Sequence, residues 1–226
     1  MKNFAFAAAV LAASAGMAAA QTYTINFNTD AAGNTIAANS VIANQYAAWG
    51  ATFSANPLSG ASGDGTNNWA TNTNMQAVST TGGDVGALGV GAPSGLGNIL
   101  RSITGWSAEN GTPNFRIDFT NGATGSLSML FLGVAGGYTP TRFRPGFDVY
   151  DASNNLLGNV RAGNTSATSA QNLSVTFSGT AAYAIVVPGT FTDWVGVDNI
   201  TFTNIPTPGS LALLGLAGIA AGRRRR

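Results

Sequence analysis

Between residues 21 and 205 the chain repeatedly alternates apolar and polar positions. Tyr23, Ile25 and Phe27 alternate with Thr24, Asn26 and Asn28, and Phe115, Ile117 and Phe119 with Arg116 and Asp118. Leu127, Met129 and Phe131 follow at the same spacing. Phe147 and Val149 alternate with Asp148 and Tyr150, and Leu173, Val175 and Phe177 with Ser174 and Thr176. A period of two places successive side chains on opposite faces of a β-strand, so each run predicts a strand with one face buried. Residues 182–187 and 195–203 are β-rich as well. Turn-forming pairs separate the runs: Asn110-Gly111, Asn121-Gly122, Gly136-Gly137 and Pro188-Gly189. Residues 151–155 predict the turn of a hairpin whose strands end at Tyr150 and return over 156–160. Residues 54–97, rich in Gly, Asn, Ser and Thr, read as long loops with one strand near Met75 to Ser79. The sum is an all-β domain, an antiparallel β-sandwich of jelly-roll type.

The two ends follow other rules. Lys2, the apolar stretch from Phe4 to Leu11 and the small residues Ala18-Ala19-Ala20 have the layout of a signal peptide over residues 1–20, cut by signal peptidase before Gln21. At the other end, Pro206-Thr207-Pro208 breaks any incoming strand. The 13 uncharged residues 210–222 come next, and then Arg223, Arg224, Arg225 and Arg226. As a helix, that run rises about 20 Å, short of a hydrocarbon layer of about 30 Å. The arginines stop translocation and mark the cytoplasmic side. A short span of this kind suits a transient stop in the inner membrane better than a permanent anchor.

This ending resembles the PEP-CTERM sorting signal of exported proteins of Gram-negative bacteria that make exopolysaccharide. There a Pro-Glu-Pro motif precedes a short apolar helix and an arginine cluster; here Thr207 stands in the place of the glutamate. The resemblance covers residues 205–226 and implies a transmembrane sorting helix cut near the motif by an exosortase, a membrane cysteine protease-transpeptidase. It divides the chain into residues 1–20, a mature domain 21–205 and a sorting signal 206–226. Phrases such as "INFNTDAAGNTI" and "YDASNNLLGNV" are similar to the sandwich domains of such proteins. The implied destination is the cell envelope, the outer surface or the extracellular matrix, with a structural or adhesive role linked to exopolysaccharide and biofilm.

Charge sharpens this picture. Only 8% of residues are charged, against roughly 25% in an average domain. Five of the ten basic residues lie in the end segments, which leaves the mature domain five arginines against nine acids, a net charge of −4. A weakly acidic domain is a poor partner for nucleic acid. The chain has no cysteine and no histidine, and its one lysine is Lys2. Thiolate chemistry, a Ser-His-Asp triad and a Ser-Lys variant are therefore excluded in the mature domain. A paired-carboxylate hydrolase needs two facing acids, but the lone glutamate, Glu109, adjoins the turn-forming pair Asn110-Gly111 and the aspartates are scattered along the sequence. The expectation is a protein that binds and does not catalyse.

Oxygen-only chemistry leaves calcium as the natural metal. In "VGVDNITFTN" Asp198 shares parity with Ile200 and Phe202, and an inward carboxylate must be paired, capped or coordinated. Jelly-roll carbohydrate-binding modules often hold calcium between the last strand and the first, which makes Asn28 and Asp30 the matching oxygen donors. The alternative is a bulge at Asn199 that turns Asp198 away, or capping of backbone amides. The loop from Asp64 to Asn68 is a second oxygen-rich stretch. For a sugar platform Trp69, in "GTNNWATNTN", is the first candidate, ahead of Trp49, Trp106 and Trp194. Arg142 and Arg144 could meet an acidic polysaccharide.

Overall fold

The computed structural model describes residues 20–55, 60–61, 68–69, 75–79, 96–102, 115–134, 145–163, 169–187 and 196–205. Its strands are β1 (Gln21–Ile25), β2 (Ala51–Ala55), β3 (Gly60–Ala61), β4 (Asn68–Trp69), β5 (Met75–Ser79), β6 (Asn98–Ser102), β7 (Phe115–Val134), β8 (Gly146–Tyr150), β9 (Leu156–Arg161), β10 (Ser169–Val187) and β11 (Gly196–Asn204). A short 3-10 turn, Ala47–Trp49, precedes β2. Nine strands form one antiparallel sheet in the order β5-β6-β11-β7-β10-β8-β9, with β1 beside β11 and β2 beside β7; β3 and β4 pair separately. The all-β antiparallel class read from the alternation is therefore the observed one. The strand near Met75 and the hairpin around residues 151–155 also stand where the sequence placed them.

β7 and β10 are 20 and 19 residues long, several times an ordinary strand. The expected chain reversal at Asn121-Gly122 does not occur: the segment lies inside β7. Gly122, Gly125 and Gly179 have φ of 84°, 81° and 96°, which glycine adopts without steric cost. The β7–β10 register breaks between Phe177 and Ala181 and again before Tyr183. The sheet thus folds across these two strands at a bulge, and each strand contributes to both layers. Residues 115–119 pair with β2 and the later part of β10; residues 123–134 pair with β11 and the earlier part.

The inward set of each run fills the space between the layers. Phe27, Phe115, Phe131, Phe147 and Phe202 are buried there with Ile25, Ile117 and Leu127. Phe131 of one layer stacks on Phe147 of the other at 6.4 Å, and Phe119 meets Phe202 at 5.2 Å. Such aromatic pairs add to the burial of large apolar surfaces.

Two loops share one design. In "DAAGN" the Asp30 carboxylate accepts from the Ala32 and Asn34 amides at 2.9 and 2.8 Å and from Asn34 Nδ2 at 2.9 Å. In "DASNN" Asp151 accepts from Ser153, Asn155 and Asn155 Nδ2, each at 2.8 Å. Gly33 and Asn154 take the same left-handed position, φ 86° and 65°. Both aspartates are held below the usual carboxylate range, first by the asparagine side chain and then by main-chain amides.

Among the described residues no helix is long and apolar enough to cross a membrane. The signal-peptide residues 1–19 and the sorting-signal residues 206–226, from Pro206 to Arg226, lie outside the described residues.

Candidate functional site at the seam of the first and last strands

β1 and β11 run side by side, with the Thr22 and Thr203 hydroxyls 2.8 Å apart and those of Thr24 and Thr201 also 2.8 Å apart. Beyond β1 the chain turns sharply. Phe27 has φ 56°, a conformation that is strained for a bulky side chain. It is buried against Tyr46 and Phe53. Asn28 then braces the entry to β6: its Nδ2 donates to Leu96 O at 2.9 Å, and its Oδ1 accepts from Asn98 N at 2.8 Å. Asn98 returns the favour, with Nδ2 donating to Ile36 O at 2.7 Å. Gly97, at φ 77°, is forced by this brace, since a Cβ there would overlap the Asn28 amide. Asn28→Ala is therefore expected to cost about 2 kcal/mol, by leaving two part-buried main-chain groups without partners. Chemical denaturation checks this, with the mid-point falling at constant slope.

Asp198 lies on β11 close by. The ladder pairs Asp198 with Leu130 and then Thr201 with Ser128, so β11 carries one residue more than β7 across this step. The resulting bulge includes Asn199, at φ 48°. Both alternatives raised by the sequence are realised: the bulge breaks the shared parity with Ile200 and Phe202, and the Asn199 amide bonds the carboxylate. Asp198 is nonetheless 1% exposed, and its Oδ1 has no hydrogen-bond partner among the described residues. Burial pushes its carboxyl up to about 7, opposed only by the Asn199 amide. The buried Tyr46 hydroxyl donates to Thr29 O at 2.9 Å. Its phenol is raised well above the usual range, first by burial, with Asp198 and Asp30 adding to the effect. Asp198 and Asp30 therefore act on one phenol.

Of the three expected metal donors, Asn28 and Asp30 are engaged in the brace and the loop just described, and Asp198 alone keeps a buried, unpartnered oxygen. Among the described residues no three acidic side chains gather around one point. The fit to a cation rests on Asp198 Oδ1. Trp69 falls in β4, opposite Gly60, and its side chain lies outside the described residues, as do Trp106, Trp194, Arg142, Arg144 and the loop 64–67. Trp49 packs on the core, stacked on Tyr23 at 5.2 Å.

The sequence did not single out a second cluster on the outer face of the other layer. Arg116 lies 3.8 Å over the Tyr183 ring, and Tyr183 stacks on Tyr150 at 5.0 Å. Arg116 Nε also donates to Asp118 Oδ1 at 2.7 Å, and on β8 and β9 the wholly buried Asp148 meets Arg161 at 2.6 Å. The pattern does carry a signal for it: these residues hold the outward parity of their strands, yet β8 is buried on both faces.

No family model and no curated protein matches the chain. Solved structures do show weak similarity. One is a mutant of the family 29 carbohydrate-binding module CBM29-2 complexed with mannohexaose, 10% identical, with a TM-score of 0.34, covering 82% of this chain and 92% of that one. Another is the K2 cleaved adhesin domain of Lys-gingipain, 13% identical, with a TM-score of 0.43, covering 80% and 97%. A third is the K3 cleaved adhesin domain from Porphyromonas gingivalis, 17% identical, with a TM-score of 0.31, covering 48% and 75%.

Proposed function

We propose that the chain is an exported protein of the cell surface or extracellular matrix, sorted by a PEP-CTERM-like tail, whose jelly-roll-like sandwich serves a structural or adhesive role beside exopolysaccharide. A coincidence of boundaries carries this reading. The compact unit runs from Thr22 to Asn204; the sequence separately places a signal-peptidase cut before Gln21 and a sorting motif at Pro206. Because Thr22 adjoins Thr203, the chain enters and leaves the sandwich at one end, which suits a domain delivered by one terminus and released by cutting the other. Signal peptidase and an exosortase are the processing partners, and the inner membrane is a transient one.

Mass spectrometry of protein recovered from outside the cell tests this. The expected termini are Gln21 and a residue between Pro206 and Gly209. Replacing Arg223–Arg226 with serine is expected to abolish the C-terminal cut. Extracellular protein that still carries the four arginines overturns the reading.

Asp198 favours a second reading, a calcium-stabilised carbohydrate-binding module. A cation bound at its orphaned oxygen would neutralise the buried charge and tie the last strand to its neighbours.

A further inference from the structure

Four adjacent strands present the same kind of side chain to solvent. One row crosses the sheet from Thr24 to Thr201, Ser128 and Ser174: Thr24 bonds Thr201, which is opposite Ser128, which is opposite Ser174. Beside it runs a second row, in which Thr22 bonds Thr203, which is opposite Thr124. Ser126 opposite Thr176 completes the field. On the opposite side of these strands Leu127 and Phe202, which alternate with the hydroxyls, are buried, and Tyr23 and Val175 pack against the core. The hydroxyls therefore form the outer side of the layer, about 4.8 Å apart across strands and about 6.8 Å apart along them. Among the described residues no Asp, Glu, Lys or Arg and no aromatic ring stands among these hydroxyls; Asp198, opposite Leu130 at their margin, is buried.

From this we infer that the face is a docking surface for a neutral, insoluble polysaccharide, one that presents many sugar hydroxyls in a plane. The inference rests on the adhesive reading above and names its site and ligand class. An uncharged face leaves an ionic ligand without a partner, whereas each hydroxyl both donates and accepts, as sugar hydroxyls do. In a bonded threonine pair one proton is spent between the partners, and the second proton and the spare lone pairs remain to bond a ligand. The β-branched threonines are stiff at χ1, so little side-chain entropy is lost on docking. One hydroxyl–hydroxyl bond yields little net free energy in water, and no ring is there to stack on a sugar. A single free chain is thus held poorly, and a surface that engages both rows at once is held well.

The test is sedimentation of the full-length chain with microcrystalline cellulose, with chitin powder and with carboxymethylated cellulose beads as the anionic counterpart. Retention is expected on at least one neutral solid and not on the anionic one. Thr24→Arg with Ser174→Arg is expected to weaken retention at least tenfold, roughly 1.4 kcal/mol, at an unchanged melting temperature. Ala152→Arg with Ser153→Arg, both exposed at the hairpin tip, adds the same two charges elsewhere and leaves retention as it was. If the double arginine variant folds poorly, Thr24→Val with Ser174→Ala removes the hydroxyls at nearly constant shape and lowers retention in the same direction. A folded double variant that binds a neutral solid as well as the parent overturns the hydroxyl face and leaves the adhesive reading standing. A parent chain retained by neither neutral solid, or held by the anionic one instead, overturns the ligand class. The export reading is judged separately by the termini.

Discussion

Arg161→Ala is expected to destabilise the sandwich by about 3–5 kcal/mol, lowering the melting temperature by roughly 10 °C. Asp148, wholly buried on β8, stands between Ile185 of β10 and Asn159 of β9. The Arg161 guanidinium reaches it from the edge strand β9 at 2.6 Å and also donates to the carbonyls of Phe147 and Val160 at 3.2 and 3.0 Å. The truncation therefore removes a charged partner from a wholly buried carboxylate and frees two main-chain acceptors. The approach of β9 to β8 also depends on Gly146, where a Cβ would overlap the Val160 carbonyl. Asp148→Leu with Arg161→Met replaces both charges by apolar groups of similar size and is expected to recover most of the loss, since a well-packed apolar replacement of a buried pair is often neutral. A double-mutant cycle by denaturation measures the coupling. A loss under about 1 kcal/mol for the single variant would mean that the pair is solvated and acts as a surface bridge.

This ion pair also shows where the sequence stops being legible. Alternation placed Phe147 and Val149 inward and Asp148 and Tyr150 outward, and a solvated outer face was the simplest consequence. A period-two pattern records which residues share a side, but not whether something covers that side. Likewise, Asn121-Gly122 has the composition of a tight turn. The composition specifies positive φ, and a bulge in a continuing strand uses positive φ as readily as a reversal does. The hairpin at residues 151–155 was legible because its turn is closed locally, by Asp151 on its own neighbours. The brace of Asn28 on Leu96 and Asn98 was not, because it joins positions about 70 residues apart and nothing local in "INFN" or "GLGN" announces it. For Asp198 the sequence read an inward position from a parity that the bulge at Asn199 breaks, and the residue is buried all the same.

In metal-free buffer the protein is expected to lose stability as pH rises from about 4 to 7, by about 2–4 kcal/mol in all. An Asp carboxyl ionises near pH 4 in the unfolded chain, whereas burial holds that of Asp198 up to about 7 in the fold. Between those values the folded state keeps a proton that the unfolded state has released, so folding takes one up and is disfavoured at higher pH. Asp30 and Asp151 work in the opposite sense, their carboxyls being lowered by their loops; their stabilisation is present above pH 4 and is lost only as pH falls further. Stability should therefore peak near pH 4–5 and decline toward 8. Asp198→Asn keeps the shape, removes the charge, and is expected to flatten the decline and raise the melting temperature at pH 8 by roughly 5–10 °C. Calcium separates the two readings of this residue. A cation binds only the ionised carboxylate, so with a site at Asp198 excess calcium should raise the melting temperature at pH 8 and leave it unchanged at pH 4. The Asp198→Asn variant should no longer respond. A decline that calcium does not alter would leave Asp198 as a buried acid that the fold tolerates. A parent chain with a flat profile in chelator would remove both the raised carboxyl and the metal site built on it.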